Sequence, residues 1–132
     1  MIVDSSVFLA ILLNEPESEQ FRELLKENPV AVSAATVAES RIVLQSRGGT
    51  RLCDIFEAIL IQVNAGVIPV DGNQARLASD AYQRFGRGSG SRARLNYGDC
   101  FSYALAITRD EPLLFKGDDF IHTDVRRVPS GR

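Results

Sequence analysis

Apolar residues along this chain follow two rhythms. Short unbroken apolar runs occupy Met1–Val3, Val30–Ser33, Val67–Val70, Pro112–Phe115 and, more weakly, Val125–Val128. Runs this short, without alternation, are the pattern of strands buried on both faces, as in parallel sheets. Between them the apolar positions recur at helical spacing. The predicted helices cover about Ser6–Leu13, then "ESEQFRELLKE" after Pro16, then "AATVAESRIVLQSR" from an N-cap at Ser33 to Gly48-Gly49. Three more cover about Arg51–Asn64, Asn73–Phe85 and Asp99–Arg109. Proline suits a first helical turn, serine an N-cap and glycine a helix end. Strands alternating with helices predict an α/β fold: a three-layer α/β/α sandwich around a mainly parallel sheet of four to five strands. A length of 132 residues fits a single domain over the whole chain, 1–132, with a core of useful size.

Composition sharpens this picture in one place. The chain is 45% hydrophobic and 24% charged with a net charge of −2, which is globular and excludes a globally basic nucleic-acid binder. Thirteen of its fifteen basic residues are nevertheless arginine, and Arg84, Arg87, Arg92 and Arg94 fall in or beside "GRGSGSRARLNYG" with no acid among them. A Gly/Ser/Arg loop of that length is either a phosphate-contacting segment or a solvated linker between helices. Cys53 and Cys100 are too few and too far apart for a disulfide framework or a zinc site, and read as buried thiols. No apolar stretch reaches membrane-spanning length and no basic leader precedes the first strand, so a cytoplasmic location is expected.

Several acids sit where a folding argument alone would not put them. Asp4 ends the first strand, and Asp118-Asp119 follow the fourth across Gly117. Ligands of parallel α/β sheets gather outside the carboxyl ends of strands, although an N-cap for the next helix is the plainer use of either aspartate. Glu39 has Ala35, Thr36, Ile42 and Val43 as helical neighbours, which puts a carboxylate within or beside an apolar face. There it needs a cation or an internal salt bridge. Asp99 opens the last helix, as a cap or as an ionised ligand, with Tyr103 one turn on. The topology brings these acids to one rim. Like charges about 5 Å apart at an effective dielectric near 20 cost roughly 3 kcal/mol per pair, so several pairs rival a domain's whole stability. An all-oxygen set that needs a cation selects Mg²⁺, with Mn²⁺ as the other candidate.

The stretches "MIVDSSVFLAILLNEPE", "SAATVAES", "LNYGDCFSYALA" and "EPLLFKGDDFIHTD", in this order over nearly the whole chain, resemble the PIN-domain ribonucleases, and among them the VapC toxins of bacterial toxin–antitoxin pairs. The resemblance implies metal-binding roles for Asp4, Glu39 and Asp99, with a fourth acid from Asp118 or Asp119. It implies a Mg²⁺-dependent endoribonuclease that cleaves structured RNA, such as tRNA, with metal-activated water. A small VapB-like antitoxin and a homodimer are the implied partners, and no membrane. Ser6 is a candidate for orienting water or phosphate, and Arg84, Arg87, Arg92 and Arg94 for phosphate contacts. Ile11, Leu12, Phe21 and Leu24 are candidates for an antitoxin-covered surface, with core burial the alternative for some of them. One loop departs from the family's pattern: similar chains often carry a histidine in the segment that here reads "GRGSGSRARLNYGD". A dehalogenase-like phosphatase is disfavoured because Ser6 stands where its second aspartate belongs, and a receiver domain because Asp4 has no acidic neighbour. A catalytically inert PIN-fold binding module and a non-toxin PIN nuclease remain as alternatives.

Overall fold

The computed structural model describes residues 1–129. Four strands, β1 (Ile2–Val3), β2 (Ala31–Ser33), β3 (Gly66–Ile68) and β4 (Leu113–Leu114), form one parallel sheet in the order β3-β2-β1-β4. They fall within the predicted apolar runs, shifted by a residue at β3. The weak run at Val125–Val128 does not become a fifth strand. It contributes a lone parallel bridge, Leu113 to Arg127, because β4 is only two residues long and offers little ladder to extend.

Helices α1 (Ser5–Leu12), α2 (Ser18–Glu27), α3 (Ala34–Gln62), α4 (Gly72–Phe85) and α5 (Tyr97–Arg109) cover the two faces of this sheet. Alternation along the strands sorts their side chains. Val3, Val32 and Leu114 join a core with Val7, Phe8, Leu44 and Phe56 from α1 and α3. Ile2, Ala31 and Leu113 point the other way, into a core with Ala78, Ala81, Tyr103 and Leu105 from α4 and α5. The result is the expected α/β/α sandwich. Phe8 and Phe56 meet edge to face at 5.1 Å between ring centres, and truncating either would cost about 3–5 kcal/mol.

The predicted helix boundary at Gly48-Gly49 is real. Gly49 has φ 72° and ψ −162°, a conformation that L side chains avoid, and it breaks α3 into two limbs. Across the break Arg41 and Glu57 lie 2.7 Å apart, and the Cys53 thiol donates to the Arg41 carbonyl. In an unbroken helix a sixteen-residue separation spans about 24 Å, so the limbs must double back as a helical hairpin. Among the described residues no helix is long and apolar enough to cross a membrane.

Candidate metal centre

The strand order turns at β1, whose neighbours are β2 on one side and β4 on the other. In parallel α/β sheets it is outside the carboxyl ends of strands at such a switch in order that ligands gather. Asp4 is the first residue past β1 and is 2% exposed, so its carboxylate must be satisfied internally. One oxygen, Oδ2, accepts from the Ser6 backbone amide at 3.1 Å and caps α1. The other, Oδ1, accepts from the Ser102 hydroxyl at 2.6 Å. The capping role read from the sequence is thus observed, on a carboxylate that stands at the carboxyl end of β1. Burial outweighs these donors and pushes its pKa up.

Asp99 stands in the first turn of α5, but it does not open the helix as expected. Asn96 is the N-cap: its side chain accepts from the Asp99 amide at 2.8 Å, and Asp99 Oδ2 accepts from the Asn96 amide at 2.9 Å. This reciprocal box holds the Asp99 side chain to the helix end and leaves its other oxygen uncommitted. Its pKa is pushed up to about 7, first by burial, then by the charges of Asp4, Asp119 and Glu39. Of the two aspartates between which the sequence leaves a choice, only one figures among these causes. Asp119, across the turn after β4, bears on Asp99, whereas Asp118 supplies a carbonyl to the amide of Ile121 within that turn.

Glu39 lies in the second turn of α3. Burial and the Asp4 charge raise its pKa, while the Ser5 hydroxyl opposes them. Its Oε1 is buried without a hydrogen-bond partner. The carboxylate rests against Gly98, where a Cβ would collide with both of its oxygens. Glycine immediately before Asp99 is thus what leaves room for the Glu39 carboxylate against α5. The apolar face expected around Glu39 is not core packing: Ile42 is 71% exposed and lines an open groove of about 500 Å³ with Glu39, Tyr97 and Phe101.

Four carboxylates from distant parts of the chain therefore share one electrostatic field. Among the described residues, no three acid, histidine or cysteine side chains are drawn in tightly enough to enclose an ion as they stand. The acids repel through space without touching. A hard divalent cation nevertheless fits the donors: all are oxygen, one is buried and unpartnered, and Glu39 and Asp99 are raised first by burial and then by neighbouring acids. Cys100 is buried beside Asp99 with its thiol pKa pushed up to about 11, so it stays a thiol and contributes no soft ligand.

The remaining expected residues are divided. Ser6 Oγ accepts from the Lys116 backbone amide at 2.9 Å, so it fastens α1 to the turn that carries Asp119. Lys116 Nζ is in turn held by Glu15 at 2.6 Å and Glu17 at 3.2 Å. Arg87, Arg92 and Arg94 are exposed, in a loop anchored by buried Ala93 and Leu95 and closed by a Gly86–Leu95 bridge. Arg84 differs: it stacks on Phe85 and pairs with Asp124, which also accepts from Tyr103. Of the apolar residues expected to face an antitoxin, Ile11 and Phe21 are instead core, 2% and 3% exposed, and Leu12 and Leu24 are half-buried against it. Sequence reasoning missed Ser102 and Thr36, the buried hydroxyls behind the acids. A serine or threonine at a helical position carries no directional signal of its own.

A parallel α/β sandwich with acids converging at the switch of strand order is the architecture of the PIN domain, and residues 1–126 match the PIN domain family. Ribonuclease VapC28 of Mycobacterium tuberculosis is 47% identical over 129 residues, covering 97% of each chain. The structure of Mycobacterium tuberculosis VapC20, a sarcin–ricin-loop-cleaving toxin, superposes with a TM-score of 0.76 at 20% identity over 96% of this chain and 97% of that one. A member of the VapBC toxin–antitoxin family from the same organism, VapBC-5, gives 0.65 at 28% identity over 96% and 97%. The chain belongs to the PIN-domain family, within its VapC ribonuclease branch.

Proposed function

We propose that this protein is the toxin of a type II toxin–antitoxin pair, a Mg²⁺-dependent endoribonuclease. Kinship with the VapC ribonucleases supports RNA hydrolysis. The observation that carries the metal requirement is Asp99, whose pKa is lifted to about 7 by burial and by three neighbouring acids. Ionising the set at neutral pH calls for a cation. Asp4, Glu39 and Asp99 would hold it, with Asp119 contributing directly or through water and Asp118 outside the site. Mn²⁺ suits the same oxygens. When bound, such an ion supplies Lewis-acid activation of water and charge neutralisation at the phosphate. The chain's own residues do the rest. Ser102 and the Ser6 amide orient Asp4, the Asn96 box orients Asp99, and Gly98 gives Glu39 its place. Ser6 accepts from the Lys116 amide and its hydroxyl also acts on Asp4, so it orients that carboxylate along with the turn that follows β4. Arg87, Arg92 and Arg94 contact phosphates along the RNA, which positions it without reading sequence.

Structured RNA, tRNA among it, is the substrate class, and a VapB-like antitoxin the cytoplasmic partner. A homodimer fits the apolar surface of Ile42 and Tyr97, 71% and 77% exposed, beside the acidic rim. Sequencing RNA ends after brief induction of wild type beside Asp4→Ala tests the reading. New 5′ ends in the wild type alone are expected, and purified protein should lose cleavage in EDTA and regain it with Mg²⁺. A metal-replete wild type that cuts no RNA would leave an inert binding module.

A further inference from the structure

Beneath the acidic rim runs a short buried chain of hydroxyls. Ser102 Oγ lies 2.6 Å from Asp4 Oδ1 and 3.2 Å from Thr36 Oγ1. Ser102 is fully buried, and Thr36 and Asp4 are 1% and 2% exposed. An ionised Asp4 can only accept, so the single Ser102 proton goes to it, and Thr36 must donate to Ser102. The chain therefore has one direction, from Thr36 through Ser102 to Asp4.

Its placement is more informative than its existence. Thr36 lies three residues before Glu39 on α3, and Ser102 three residues after Asp99 on α5. At that spacing each hydroxyl shares a helix face with an acid of the rim. The three elements that carry the three acids are joined to one another by these two contacts. A hydroxyl pair of this kind is costly to bury unless it is fully used, and an apolar pair would pack as well.

We propose that Ser102 and Thr36 are positioning residues, whose hydroxyl chain locks the Asp4 carboxylate and ties it to α3 and α5, the two helices whose Glu39 and Asp99 would close with Asp4 on one divalent ion. This inference rests on the metal reading above. Neither residue touches the ion or the RNA; Ser102 acts through Asp4, and Thr36 acts only through Ser102. Outer partners of metal ligands commonly change affinity by about 10- to 100-fold.

The test is Mn²⁺ binding to the metal-free protein, read by titration calorimetry and by the electron paramagnetic resonance of free Mn²⁺, with no RNA present. Wild type, Ser102→Ala, Thr36→Val and the double variant are compared. Ser102→Ala should weaken Mn²⁺ binding about tenfold and Thr36→Val a few-fold. The double variant should bind no more weakly than Ser102→Ala, because Thr36 has nothing left to direct. A merely structural pair would lower the unfolding temperature and leave affinity alone. Single variants that bind within twofold of wild type, or losses that multiply in the double variant, overturn the proposal. If Ser102→Ala does not fold, Thr36→Val decides it, since that change conserves side-chain shape. A wild type that binds no Mn²⁺ overturns the metal reading and this inference together. Normal wild-type binding with unaffected variants overturns the inference alone.

Discussion

The acidic rim and the arginine loop are built on opposite principles. The rim gathers Asp4, Glu39, Asp99 and Asp119 from four parts of the chain, buries Asp4 and Asp99, half-buries Glu39, and fixes the two buried acids with a cap, a capping box and a hydroxyl chain. The loop keeps Arg87, Arg92 and Arg94 within eight residues of one another, exposed and in no ion pair among the described residues. In the rim, burial first and fixed like charges second raise the pKa of Asp99 and Glu39. Repulsion in the loop is relieved by water and by motion of long side chains. A catalytic centre needs charges that cannot move apart, whereas a surface for a polyanion of variable shape needs charges that can.

The largest effect should come from the rim. Asp99→Asn should lower RNA cleavage by roughly 10² to 10³-fold, the scale for removal of one preorganised electrostatic group. The amide oxygen can still accept from the Asn96 amide, so the helix keeps its box. The metal-free variant should unfold at a higher temperature than wild type, since a repelling charge is gone. A variant both inactive and less stable would place Asp99 in the fold and not in a strained site.

Next is Gly98→Ala. The added methyl meets the flexible end of Glu39, so the protein should fold while Glu39 swings away. A loss of about tenfold in Mn²⁺ affinity with an unfolding temperature near wild type is expected. Unchanged affinity would show that Glu39 is dispensable.

Acidity separates the two regions as well. Asp99 has a folded pKa of about 7 against an ordinary value of 3.8, so the folded state holds its proton over that window and the unfolded state does not. Stability of the metal-free protein should therefore fall as pH rises from about 4 to 7, the reverse of a salt-bridged carboxylate. Thermal scans in EDTA at pH 5 and pH 8 should show a drop of several degrees, on the order of 1 kcal/mol or more. Added Mn²⁺ should restore most of it at pH 8 and little at pH 5. Removing the loop arginines should change none of this.

The smallest effects belong to the loop. Alanine at Arg87, Arg92 or Arg94 should weaken RNA binding uniformly across sequences. Each phosphate left without its arginine should flatten the salt dependence of binding by about 0.7 in logarithmic slope. Filter binding at several salt concentrations measures that slope. A sequence-selective loss of affinity would mean that one of the arginines reads a base.

The strands and helices are legible in the sequence because parallel strands buried on both faces leave dense apolar runs and helices leave periodic ones. Gly49 ends the first limb of the long helix where glycine is expected to end it. Asp4, Glu39 and Asp99 are legible as acids out of place. What escapes is orientation. Gly117 has φ 96°, which breaks the alternation that would otherwise predict whether Asp118 or Asp119 turns inward. Asn96 is hard to pick out as the cap of α5 because Asp99 is itself a good cap residue. Val125–Val128 looks like a strand because apolarity reports burial and not the number of ladder bonds available.

Lys26 and Lys116 are the two lysines of the chain, and the second is occupied. Its ammonium bridges to Glu15 and Glu17 and its amide to Ser6, so it clips the Asp119 turn onto the first two helices. Acylating reagents attack only the neutral amine, which its carboxylate partners make scarcer by raising the Lys116 pKa. Lys26, 71% exposed against 32%, should be modified first. The ratio of the two labels, read by mass spectrometry, becomes a gauge of whether that turn is seated or has let go.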